Sequence, residues 1–166
     1  MNLHENLSRY ELALEALAIQ AIQLSIEEGN VALIVSDALA YEISRNPYPE
    51  CKAAAQSILK LASAYQPLTS EILSRGQQLE SSSKIGKLDA LHVACAETQQ
   101  VDFFITCDDR PIKRYKGTMQ LCNPIEFILL TTRMEPTFSR LFRTKNNICR
   151  RTDQETAKLD SVYRKV

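Results

Sequence analysis

Apolar residues recur in steps of three and four from the start of the chain. Leu7, Tyr10, Leu14, Leu17, Ala21 and Leu24 share one stripe of a helix over residues 5 to 28. Gly29-Asn30 stops that helix. The unbroken run Val31-Ala-Leu-Ile-Val35 predicts a strand covered on both faces, as in parallel sheets. Ser36 or Asp37 then caps a helix over 37–45, which ends before Asn46-Pro47. A third helix is expected from Pro49 to Ala64. Gln66-Pro67-Leu68 reads as a short extended piece, and Thr69 or Ser70 caps a fourth helix through Ile72, Leu73 and Leu79. Residues 81–87 read as a loop, and Leu88 to Thr98 as a helix. Asp102–Thr106 is a second buried strand, followed by a short helix near 109–115 and a strand Met119–Cys122. Pro124 suits the first position of a last helical turn through Phe127. Strands separated by helices imply right-handed βαβ units, a parallel sheet between helical layers and the α/β class.

Composition narrows the choice. At 166 residues the chain suffices for one domain with a proper core, and 45% hydrophobic with 24% charged residues is a globular mix, not a disordered one. The apolar runs Val31–Val35 and Phe127–Leu130 are far short of the roughly 20 residues of a membrane helix. The opening Met1-Asn2-Leu3-His4-Glu5 is no signal peptide, so the expectation is a cytoplasmic protein with no membrane partner. Five cysteines without a CxxC pair, and only His4 and His92 beside them, draw no zinc site.

Twenty basic residues balance twenty acidic ones, so no global field announces a partner. The balance is local. Residues 133–166 hold nine Lys/Arg and four Asp/Glu, leaving eleven and sixteen in the rest. The body is acidic and the tail basic. Phe138, Leu141 and Phe142 offer one apolar face in that tail, which is otherwise without period. A disordered extension over 129–166 and a nucleic-acid or partner-binding arm are the two readings.

In an open parallel sheet, sites lie beyond the carboxyl ends of the strands. Glu42 lies two helical turns past the first strand, Asp108 just past the 102–106 strand, and Asp89 in the first turn of the helix leading into it. Carboxylates gathered in one cleft repel unless a cation joins them, and hard oxygen ligands suit Mg²⁺ or Mn²⁺. Plainer roles stand beside this one. Asp89 complements a helix N-terminus, Asp108 and Asp109 cap a turn before Pro111, and Glu42 is a solvated helix residue. His92, three residues after Asp89, is a ligand, a base or a packing residue. Lys84, Lys87, Arg110, Lys113 and Arg114 flank the cleft and either hold phosphates or are simply solvated.

Four blocks carry a resemblance: Val35-Ser-Asp-Ala-Leu-Ala-Tyr-Glu42-Ile-Ser, Lys87-Leu-Asp89-Ala-Leu-His92-Val-Ala, Asp102-Phe-Phe-Ile-Thr106-Cys-Asp108 and Asn123-Pro-Ile-Glu-Phe127. In order and spacing, over residues 5–128, they resemble PIN-domain proteins. The resemblance implies a three-layer α/β/α sandwich over residues 1–128 and Mg²⁺- or Mn²⁺-dependent hydrolysis of RNA, as in toxin nucleases of toxin–antitoxin pairs. Carried over by position, Glu42, Asp89 and Asp108 match the metal-site acids and Thr106 the hydroxyl residue beside them. It also implies a homodimer and an antitoxin or other protein partner. The family's opening strand and its first Asp have no match here, since Leu7–Leu24 already corresponds to the first long helix. A start inside the domain, or a degenerate relative that binds RNA or a protein without cleaving, are the two readings of that gap.

Overall fold

The computed structural model describes residues 3–133. Seven helices and four strands alternate over this stretch: α1 (Leu3–Glu27), β1 (Ile34–Ser36), α2 (Asp37–Ser44), α3 (Pro49–Leu59), β2 (Ala64–Gln66), α4 (Ser70–Ser83), α5 (Lys87–Thr98), β3 (Phe103–Ile105), α6 (Asp109–Arg114), β4 (Gln120–Cys122) and α7 (Pro124–Arg133). Elements expected from the pattern are present in the expected order, with shorter strands. The third helix ends at Leu59, not Ala64, and α4 runs to Ser83 through what reads as loop. The expected tail face of Phe138, Leu141 and Phe142 lies outside the described residues.

All strand pairing is parallel. β1 pairs with β2 in the register Ile34↔Ala64, and β3 with β4 in the register Phe103↔Gln120. The pairs form two separate two-stranded sheets, and among the described residues no strand joins them. Strands of three residues supply few ladder bonds, so helix packing has to hold the fold. Much of it comes from α4 against α5. Ile72 and Leu79 of α4, Ile85 of the connection, and Ala90, Leu91, Val93, Ala94 and Cys95 of α5 form one buried cluster with Ala38 and Tyr115. The two helices approach closely at Gly76, where an added Cβ would stand 2.9 Å from the Leu91 side chain.

Side chains pin the ends of these elements. The Ser36 hydroxyl caps α2 by accepting from the Leu39 N–H at 3.2 Å, and Thr69 caps α4 through the Ile72 N–H at 3.4 Å. Asp37, buried, accepts hydrogen bonds from the Tyr65 hydroxyl and, at 2.9 Å, from the Leu68 N–H. It therefore ties the β1–α2 junction to the chain leaving β2. On the far side, Glu97 of α5 accepts from both Nε and a terminal nitrogen of Arg75 and from the Tyr115 hydroxyl at 2.8 Å, linking α4, α5 and the end of α6.

The first helix departs from expectation in orientation. It packs against α7 with Ala18 buried, yet Tyr10, Leu14, Leu17 and Leu24 are all more than half exposed. The stripe read from the periodicity faces outward. The reason lies in the same sequence: Ala18, Ile22 and Ile26 make a second apolar line, and that line turns inward.

Candidate active site

The sequence-predicted acids are brought to one region by α2, α5 and the β3–α6 turn. Asp89 stands in the first turn of α5, beside Gly86, whose hypothetical Cβ would lie 3.0 Å from Asp89 Oδ2. Burial pushes the Asp89 carboxyl up, and the charges of Asp108 and Glu42 push the same way against the opposing pull of His92 and Arg110. Asp89 therefore feels the charges of both Asp108 and Glu42. Glu42, from the middle of α2, has its Oε2 3.1 Å from His92 Nε2. The His92 ring holds the Glu42 carboxyl below its ordinary range against the opposing effect of burial. The two groups are close but not aligned as a hydrogen bond, so the buried ring nitrogen lacks a formed partner.

Asp108 is placed by its neighbours. The Thr106 hydroxyl accepts from the Asp108 N–H at 3.1 Å, bracing the turn out of β3. Asp108 then caps α6, accepting from the Arg110 N–H at 2.8 Å. The Arg110 guanidinium grips the same carboxylate, with Nε about equally far from both oxygens and a terminal nitrogen 2.5 Å from Oδ2. This grip holds the Asp108 carboxyl down at about 2. The folded value lies below that of a free aspartate, so any contribution of this exposed pair is present at neutral pH and lost as pH falls toward about 2. Carboxyl NMR of Arg110→Ala is expected to return the Asp108 midpoint toward the ordinary aspartate range; an unmoved midpoint would show that the cap alone sets it.

The capping role of Asp108 is thus present, with the Thr106 hydroxyl bracing the turn that carries it. Of the flanking cations, Arg110 is committed to Asp108, Lys113 pairs with Asp109, and Arg114 donates to the Lys84 carbonyl. Arg110 and Lys113 balance the acidic rim rather than standing ready for phosphate. One neighbour was not legible beforehand. Glu15 of α1 lies against the Cys107 thiol, which burial and that carboxylate together push up. Nothing in the spacing of residues 15 and 107 signals the contact.

The comparison with known families decides what this arrangement belongs to. Residues 4–117 match the family model of the PIN domain, well over half of the chain. The chain belongs to the PIN-domain family. No curated protein and no solved structure matches it. The PIN domain is a nuclease-type α/β fold whose members in general depend on a divalent metal. Among the described residues, this PIN domain brings together no three or more His, Cys, Asp or Glu side chains that would form an all-protein metal site. A hard divalent cation, were one bound here, would have Asp89 and Asp108 as its carboxylate donors. The mutual repulsion felt at Asp89 is the feature such a cation would relieve.

Proposed function

We propose that this PIN domain is a metal-dependent endoribonuclease, hydrolysing phosphodiesters of RNA with Mg²⁺ or Mn²⁺. The observation that carries the reading is the gathering of carboxylate charge at Asp89, where Asp108 and Glu42, each from a separate element, stand near enough to push its carboxyl up. Asp89 and Asp108 would hold the cation, Thr106 positions Asp108 through its N–H, and Glu42 with His92 forms the adjoining wall. A divalent cation there supplies Lewis acidity toward the phosphodiester. The test is incubation of the full chain with labelled single-stranded RNA and Mn²⁺, beside an EDTA control. Cleavage that EDTA abolishes supports the enzyme.

A second reading rests on one specific feature. Arg110 occupies the Asp108 carboxylate on both oxygens, and no third ligand closes the site among the described residues. A PIN-like module that binds RNA or a protein without cutting fits that arrangement, and RNA binding without cleavage by a cooperatively folded chain would establish it.

The protein partner, whether a second copy or an antitoxin, has its support in the outward stripe of α1. Tyr10, Leu14, Leu17 and Leu24 alternate in steps of four, three and seven along one line, the seam spacing of paired helices. Sedimentation is expected to show a dimer for the wild type and a monomer for Leu17→Glu. Monomers in both would assign the stripe to a different protein. No helix of the described residues is long and apolar enough to cross a membrane. A cytoplasmic location is supported by Cys51, Cys95, Cys107 and Cys122, all of them free thiols.

A further inference from the structure

Beside Glu42, the end of α2 and the start of α3 border an open surface hollow of about 500 Å³. Tyr41, Glu42, Arg45, Asn46, Pro47 and Tyr48 line it, with Leu88 on the side of α5. Its residues are not there for the core. Tyr48 is 68% exposed, a large aromatic ring held at the surface, and its side chain makes no capping bond to α3.

The hollow is braced. Asn46 Oδ1 accepts from the Tyr48 N–H at 2.9 Å, closing a turn around Pro47. Lys52 reaches back from α3 and donates to the Ser44 carbonyl at 2.7 Å, tying the start of α3 to the end of α2. A ring displayed from so constrained a turn loses little freedom when a ligand stacks on it. Aromatic rings with an arginine alongside are what unpaired bases of single-stranded RNA stack on, and Arg45 is exposed here. Glu42 belongs both to this hollow and to the acidic cleft, and Leu88 directly precedes Asp89.

We propose that this hollow is a nucleobase subsite for single-stranded RNA, with the Tyr48 ring as the stacking platform and Arg45 as its cationic flank. The inference rests on the reading of the protein as an RNA nuclease and adds where the substrate is gripped. The experiment is fluorescence anisotropy of a labelled single-stranded RNA oligonucleotide with the full chain in EDTA, so that cleavage plays no part. Tyr48→Ala is expected to weaken binding by about tenfold or more, and Tyr48→Phe, which keeps the ring, to restore it. A matched oligonucleotide with abasic sites is expected to bind the wild type as weakly as intact RNA binds Tyr48→Ala, and to lose nothing further in that variant. Equal binding of intact and abasic RNA by the wild type overturns the subsite without using any variant. Wild-type affinity in Tyr48→Ala also overturns it and leaves the RNA reading standing, with the hollow then assigned to a protein partner. Absence of RNA binding by the wild type in EDTA overturns the subsite, while Mn²⁺-dependent cleavage by the same preparation decides the nuclease reading separately.

Discussion

Asp89→Asn is expected to reduce Mn²⁺-dependent RNA cleavage by at least about 100-fold, the scale of losing several kcal/mol of transition-state charge stabilisation. The substitution keeps size and shape and removes the carboxylate that burial and Asp108 push up. Its effect on stability has the opposite sign. A carboxyl whose folded value is raised binds more protons folded than unfolded, so the fold weakens as pH rises above the ordinary aspartate range. At neutral pH the charged Asp89 is a burden, and the variant is expected to melt at the same temperature or higher. Cleavage and thermal melts measured on one preparation separate the two effects. Wild-type cleavage by Asp89→Asn would remove Asp89 from the chemistry, and a large drop in melting temperature would make it a structural residue instead.

Ile72→Ala is expected to cost about 2–5 kcal/mol of stability, the usual range for emptying a well-packed site of this size. Ile72 is 1% exposed and belongs to the cluster where α4 meets α5, which has to hold the fold because each strand is three residues long. Urea unfolding followed by circular dichroism should show a lower midpoint with an unchanged slope. A loss under about 1 kcal/mol would mean that the α4–α5 seam closes over the gap and is not the main support. The close approach at Gly76 argues against such slack, since Leu91 already fills the space an added methyl would take.

The acidic region was legible in large part. Glu42, Asp89 and Asp108 stand out by their places relative to strands and by the motif blocks, and the structure puts Asp108 and Glu42 each within electrostatic reach of Asp89. The grip of Arg110 on Asp108 was not. Residues two apart meet side by side only because Asp108 caps α6 and turns the chain back on itself. Equally hidden was the hollow at Tyr48, because a break at Asn46-Pro47 announces a turn but not that the turn displays a ring beside Glu42.

From the order of the residues alone came the alternation of helices and strands and the α/β class. These are local matters of period, capping and proline placement, and each is decided within a few residues. What only the tertiary structure decided is which surface each element shows to which neighbour. The first helix is the clearest case. Its periodicity groups Tyr10, Leu14, Leu17 and Leu24 on one side, but apolar residues on the other side make the inward choice a contest between two faces. Packing against α7 buries the face of Ala18, leaving the stronger stripe outside. The strands follow the same rule. Their parallel sense is implied by the helices between them, whereas their separation into two pairs depends on which edges find a partner in space.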